Sequence, residues 1–224
     1  MKKILTIAVI ILCSKISFAQ INTMGSMYFQ NPYLANPAFA GIEYGWEMNA
    51  AYKAQWAGAD GAPMMQSITV THGTEDKKVG IGLNFYNEKA GVISNFNAKG
   101  TYAYHLMLNR TSFLDFGLSV GILDENIDFT KVKGDGTDIT LQNFNLRKLY
   151  FDGDFGIAYR NRSLTIQGSL PNLKKLFDHD MFKLNVDQYI YMAAVSYRFI
   201  NDRQNFVVIE PKLVYRGIRN FKNI

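Results

Sequence analysis

Apolar and polar residues alternate along nine segments of this chain, and a period of two residues predicts β-strands with one apolar and one polar face. In the clearest segment, residues 46–56, the even positions are apolar or small, whereas the odd positions include Glu47 and Lys53. We therefore predict an all-β, antiparallel fold. The predicted strands lie near residues 46–56, 64–72, 79–87, 96–106, 114–122, 151–159, 163–170, 189–199 and 205–215.

The first 19 residues have the features of a cleavable export signal. Two lysines precede an apolar run at residues 4–13, and Ser17 and Ala19 are the small residues that a signal peptidase reads before Gln20. The run is too short for a transmembrane helix. The single cysteine, Cys13, lies within this segment, so the exported chain is predicted to have no disulfide and no thiol nucleophile. Lipoprotein processing at Cys13 is disfavoured because large residues precede it.

The composition after signal removal favours strands and argues against a nucleic-acid partner. Three lysines leave with the signal, so 21 basic residues face 19 acidic ones and the formal charge falls from +5 to +2. No extended basic cluster remains, as nucleic-acid binding would require. With 16 phenylalanines, 13 tyrosines and only five prolines, the chain suits pleated sheets.

The lengths of the connections point to a membrane barrel rather than a soluble sandwich. Short polar connections are predicted at residues 73–78, 107–111, 160–162 and 200–204. Longer ones are predicted at residues 57–63, 88–95, 123–150 and 171–188. Short turns on one side, long loops on the other and aromatic residues at strand ends are typical of transmembrane outer-membrane β-barrels, which lie among outer-membrane lipids.

The number of predicted strands bears on whether the β-barrel can close. Single-chain bacterial barrels have an even number of strands, whereas nine are predicted here. Two interpretations follow: the sequence is C-terminally incomplete at Ile224, or a tenth strand lies near residues 127–131.

Two motifs flank the first predicted strand. Residues 31–41 read NPYLANPAFAG and residues 55–63 read QWAGADGAP. Together they resemble the signature of the PorP/SprF family of type IX secretion system outer-membrane proteins, in which NPxxxNPAxAG is followed by QWxGxxGAP. The candidate site residues are Asn31, Pro32, Asn36, Pro37, Gly41, Gln55, Trp56, Gly58, Gly61, Ala62 and Pro63.

The resemblance implies a barrel of about fourteen strands, of which this chain would supply about nine. It also implies an accessory role in type IX secretion and gliding motility, with a periplasmic ring lipoprotein and a secreted adhesin as partners. We expect three parts: a signal peptide (1–19), an N-terminal periplasmic plug or strap (20–45) and the barrel (46–224). A passive diffusion channel is the alternative that the polar face permits.

The motifs also have a physical interpretation. Asn36-Pro37 favours a turn, because proline fixes its own φ and restricts the preceding residue, and Gly41 tolerates positive φ. Gly58, Gly61 and Pro63 are expected to shape the first outer loop. Whether the motifs only stabilise the barrel or also contact secretion partners stays open on the residues alone.

An enzyme is disfavoured. If Leu106 paired with Ser112, His105 and Asp115 would lie diagonally on the polar face within hydrogen-bonding reach. No serine nucleophile is placed beside them, since Ser119 is too far along its strand. We interpret this pair as a polar contact inside the barrel.

No cofactor or metal is predicted. His72 and His179 lack the spacing of a metal-binding pair. The region 123–150 is acidic, but its order of carboxylates does not match a calcium-binding loop, so a solvated surface loop is favoured. Its acidic residues are Asp124, Glu125, Asp128, Asp135 and Asp138.

Overall fold

A computed structural model describes residues 27–56, 58–127, 149–174, 191–199 and 209–217. The described part forms one antiparallel sheet in which each strand pairs with its sequence neighbours, in the order β1 to β9. The strands are β1 (Gly45–Ala54), β2 (Met64–Gly73), β3 (Val79–Ala90), β4 (Ile93–Asn109), β5 (Ser112–Ile127), β6 (Leu149–Arg160), β7 (Leu164–Leu170), β8 (Tyr191–Tyr197) and β9 (Lys212–Gly217).

All nine predicted strands are confirmed, and the all-β antiparallel fold with them. Several bounds differ: β4 and β5 extend well beyond the predicted segments, whereas β9 begins only at Lys212, after an isolated bridge between Phe199 and Ile209. The predicted signal peptide and most of the connections 123–150 and 171–188 lie outside the described residues, as do residues 128–131, 189–190 and 200–208.

The predicted long connection at residues 88–95 is wrong. β3 continues to Ala90 and β4 begins at Ile93, so only Gly91 and Val92 form the turn. Gly91 has a φ of 60°, a conformation that glycine adopts without a steric penalty and that such a short hairpin turn requires. The hairpin therefore closes tightly, and the strand pairing extends further from the centre of the sheet than the hydrophobic pattern indicated.

The two faces of the sheet have the opposite arrangement from a water-soluble protein. The apolar face is exposed; Val120 is 65% exposed and Phe151 is 77% exposed. The other face is polar and buried, and includes Lys99 and Thr101. No described helix has the length and hydropathy that a bilayer crossing needs.

The polar face is covered by an N-terminal segment, residues 28–41, which we call the strap. The sheet curls around it: Gln167 of β7 donates a hydrogen bond to the Tyr28 hydroxyl, whereas Asn31 donates to Thr69 of β2 at 2.7 Å. Three residues of backbone reach only about 10 Å, so β2 and β7 must approach each other across the strap.

Two small apolar clusters fix the strap to the sheet. Tyr28 packs with Met192 and Ala194 of β8. Near the other end of the strap, Tyr33 and Ala40 pack with Ala103 of β4. Both buried apolar clusters of the described residues thus lie between strap and sheet, whereas the large apolar side chains of the outward face are exposed.

Candidate functional site

The strap is built from two single-turn 3-10 helices, Pro32–Leu34 and Pro37–Phe39. Each begins with proline directly after asparagine, and both asparagines have extended backbones (Asn31 φ −130°, Asn36 φ −147°). Proline suits the first position of a helical turn because its φ is already correct and its missing N–H would have no partner there. The repeated Asn-Pro of the first motif therefore produces two successive turns.

Asn36 is the most extensively hydrogen-bonded residue of the strap. Its side chain is fully buried, and its Oδ1 accepts from the backbone N–H of Ala38 at 3.0 Å. Its Nδ2 donates to the backbone oxygens of Ile157 and Gly168, both at 3.3 Å, and to Oε1 of Gln167 at 3.1 Å. One carboxamide thus stabilises its own turn and ties the strap to β6 and β7.

Tyr33 anchors the strap to the middle of the sheet. Its hydroxyl shares a 2.7 Å hydrogen bond with Thr101 of β4, and Thr101 shares another 2.7 Å bond with Ser119 of β5. Burial raises the pKa of the Tyr33 phenol to about 12, so the hydroxyl keeps its proton at physiological pH. Further along, Ser169 of β7 donates to the Ala35 carbonyl at 2.8 Å.

Glycines in the strands make room for the strap. A Cβ atom at Gly117 of β5 would overlap the backbone of Pro37, and one at Gly156 of β6 would overlap the side chain of Asn36. A Cβ at Gly82 of β3 would lie 2.5 Å from the Tyr33 hydroxyl. The strap therefore lies directly on the backbone of the sheet, closer than any side chain would permit.

The last residues of the strap cover a buried polar cluster. His105 of β4 is 1% exposed; its Nδ1 contacts Asp115 at 2.8 Å and its Nε2 donates to the Ala40 carbonyl at 3.1 Å. Asp115 also accepts two hydrogen bonds from the Arg160 guanidinium. Gly41 follows with a φ of 62°, and a Cβ atom there would overlap the backbone of β2 and β3.

The expected register around this cluster is wrong, although the predicted contact exists. Leu106 pairs with Leu114 and not with Ser112, because β4 continues to Asn109, which itself pairs with Ser112, and the pairing then shifts between Met107 and Asn109. His105 therefore stands directly opposite Asp115 and not diagonally. The extra residue of a β-bulge is a feature that the hydrophobic pattern does not reveal.

The second motif forms the connection between β1 and β2, residues 55–63. The backbone N–H of Gln55 donates to the Pro63 carbonyl at 2.9 Å, which closes the loop. Gly61, with a φ of 75°, accepts at 2.8 Å from the N–H of Gly91 in the β3–β4 turn. Trp56 has a φ of 52°, unusual for a bulky residue, and is 76% exposed.

The remaining residues of this second motif differ in their exposure. Gly58 is exposed and has space around it, whereas Ala62 and Pro63 are half-buried. Among the described residues, no hydrogen bond joins the two motifs: the first bonds to strands from β2 to β7, and the second bonds to the β3–β4 turn. The sequence-based prediction missed Tyr28, Tyr33 and Gln167, because strap residues outside the motif's fixed positions and isolated polar strand residues carry no pattern of their own.

The chemistry of this site is that of a packed polar interface. Both ring nitrogens of His105 are occupied, and Ser119 bonds to Thr101 rather than to a base. Among the described residues, no group of three or more His, Cys, Asp or Glu side chains is placed to hold a metal ion.

Comparison with known proteins agrees with this structure. The model of one protein family, described as type IX secretion system membrane protein PorP/SprF, matches residues 17–223. No curated protein and no solved structure matches the chain. The match covers both motifs, the strap and all nine strands, so the chain belongs to the PorP/SprF family of type IX secretion system membrane proteins.

Proposed function

We propose that this protein is an outer-membrane accessory component of the type IX secretion system, in which residues 20–45 form a periplasmic plug inside a β-barrel that begins at residue 46. The observation that carries the proposal is the fit of the strap onto the polar face. Its asparagine and tyrosine side chains bond to β2, β4, β6 and β7, and glycines lie beneath it. A wide, open channel would not need a segment packed against its polar inner face.

The two ends of the sheet offer different surfaces to partners. The β2–β3 turn carries exposed charges, including Lys77, which pairs with Glu43 at 3.0 Å. We propose that this turn end faces the periplasm and contacts the ring lipoprotein. At the opposite end, Trp56 is exposed, and so is Tyr52, four residues earlier in the chain, which is 64% exposed. Exposed tryptophan and tyrosine are the residues that most often dominate a protein interface, so we propose that this end contacts the secreted adhesin.

Affinity purification from detergent-solubilised outer membranes tests this proposal, with mass spectrometry of the retained proteins. We expect wild-type protein to retain a ring lipoprotein and a surface adhesin. A Trp56→Ala variant should lose at least about tenfold of the adhesin, as expected for a residue central to an interface, and keep the lipoprotein. A Lys77→Glu variant should show the reverse. Each variant is the control for the other, and recovery of a solitary barrel would contradict the proposal.

A passive diffusion channel is the second candidate, favoured by the polar side chains of the inward face. The two functions differ in conductance. A plugged accessory protein should be nearly silent in planar lipid bilayers, whereas a diffusion channel should conduct with the strap in place.

A further inference from the structure

A second buried ion cluster lies beside the strap, outside the motifs. Lys99 of β4 has a side chain only 3% exposed, and its Nζ lies 2.6 Å from Asp154 and 3.9 Å from Asp152, both on β6. On β6 these carboxylates stand two and four residues beyond Gly156, which lies under the strap. Residues two apart in a strand share a face and are separated by about 6.6 Å. The cluster therefore lies on the same face as Gly156, beside the strap, toward the end of the sheet opposite the β4–β5 turn.

The two carboxylates hold the first residues of the β7–β8 connection. Asp154 accepts a hydrogen bond from the backbone N–H of Asn172 at 2.9 Å, and Asp152 accepts one from the N–H of Lys174 at 2.8 Å. Asn172 also has a φ of 56°, a left-handed conformation that turns the chain sharply after β7. Bonds between a carboxylate and backbone N–H groups are stronger than those between neutral groups.

This connection and the strap meet across a small polar pocket. Pro171 lines the pocket together with the strap residues Tyr33 to Pro37, and Ser119 and Thr101 of the sheet line it as well. Ser119 is 3% exposed. Beside the pocket, Leu173 approaches Gly153 of β6. The polar face is therefore covered from one side by the strap and from the other by the start of the β7–β8 connection.

We propose that Asp152 and Asp154 form a carboxylate clamp that folds residues 171–174 over the inward face as a lid, which closes the barrel interior at the end opposite the turns. Lys99 balances one of the two charges and fixes the carboxylates toward the connection. The lid is separate from the strap and does not depend on the proposed role in secretion, because it follows from contacts between β4, β6 and the chain after β7.

Cysteine labelling beneath the lid tests the proposal in purified, folded protein. A Ser119→Cys substitution places a thiol at the covered position, and the mature chain as predicted contains no other cysteine. In this background, Asn172→Pro removes the N–H that Asp154 binds and excludes positive φ. We expect maleimide labelling to become about tenfold faster or more, the factor expected for loss of one charge-assisted hydrogen bond.

Asn172→Gly is the matched control: like Asn172→Pro it loses the side-chain oxygen that accepts from Lys99 at 3.4 Å, but it keeps the N–H and favours positive φ, so it should label much more slowly than Asn172→Pro. An Asp152→Ala/Asp154→Ala variant removes the clamp from the other side and should label as fast as Asn172→Pro. Equal rates in the proline and glycine variants, or an unchanged rate in the double alanine variant, would overturn the lid.

Discussion

At Asn36, one side chain both caps a turn and joins the strap to two strands. Its carbonyl oxygen caps the turn that Pro37 starts, and its amide hydrogens reach acceptors on β6 and β7. A buried polar group without partners would cost about 1–3 kcal/mol, so every partner of this carboxamide matters. The sequence identified Asn36 through its motif, but its partner Gln167, 131 residues away, could not be predicted because contacts of that separation depend on strand order.

Replacing Asn36 separates its two roles. Asn36→Ala removes both the cap and the contacts to the sheet, and we expect a loss of about 2–4 kcal/mol in the free energy of unfolding. Asn36→Asp keeps the acceptor for Ala38 but places a carboxylate against three oxygen acceptors, so it should destabilise at least as much. Urea unfolding in lipid vesicles measures both. An Asn36→Asp variant of wild-type stability would show that the bonds to β6 and β7 are unimportant.

The glycine beneath Asn36 gives a steric prediction. Gly156→Ala places a methyl group where the Asn36 side chain lies, and we expect it to destabilise by about 1–3 kcal/mol as overpacking does. Gly168→Ala is the control, because its nearest neighbour, the Met192 carbonyl, would be 3.7 Å from the new methyl group. The same urea midpoints measure the difference. If both variants lost equal stability, a general loss of glycine would explain the result better than contact with the strap.

At the scale of elements, the strands were predictable and the connections were less so. Alternation determines strands because side chains of opposite polarity cannot share a face, and it located all nine. It did not locate the tight turn at Gly91, since the residues on either side, Glu88-Lys89 and Ser94-Asn95, are polar at consecutive positions and look like a loop. It also missed the bulge near Met107, because one extra residue changes the register without changing the composition.

The β1–β2 loop provides a prediction for an element. Gly61→Ala is strained at a φ of 75° and brings a Cβ to 3.1 Å from Gly91. We expect the loop to move away and the Gly91 amide, which donates to the Gly61 carbonyl, to lose at least about tenfold of its protection from hydrogen exchange. Gly58→Ala, with nothing within 4 Å, should leave the protection unchanged. Full protection in Gly61→Ala would contradict the assigned role of this contact.

For the whole molecule, the most informative property is which face of the sheet is apolar and which is polar. The outward face is apolar and exposed, and the interior contains hydrogen bonds and ion pairs around the strap. In water such a face would drive aggregation, whereas in a bilayer it is solvated by lipid chains. The family match and the exposed apolar face therefore support the same membrane environment.

A charge on the outward face tests that environment. Val120 lies near the middle of β5 and is 65% exposed. In a lipid bilayer Val120→Arg should destabilise by about 2–4 kcal/mol, as arginine does at the membrane midplane. Thr111→Arg, in the exposed β4–β5 turn, should have little effect. Unfolding from lipid vesicles measures both variants, and equal stabilities would place Val120 outside the lipid region.

The strands, their two faces and the two motifs could be predicted from the amino-acid sequence, because they depend on residues close together in the chain. What those motifs contact depends on the tertiary fold. Asn36 was predictable as a turn residue. The need for glycine at Gly117 and Gly156 could be explained only from the position of the strap on β5 and β6. His105 and Asp115 were predictable as a contact, yet their register, Arg160 and the Ala40 carbonyl required the fold. Local periodicity sets a residue's face, whereas the partner across that face depends on strand order, register and the path of the strap.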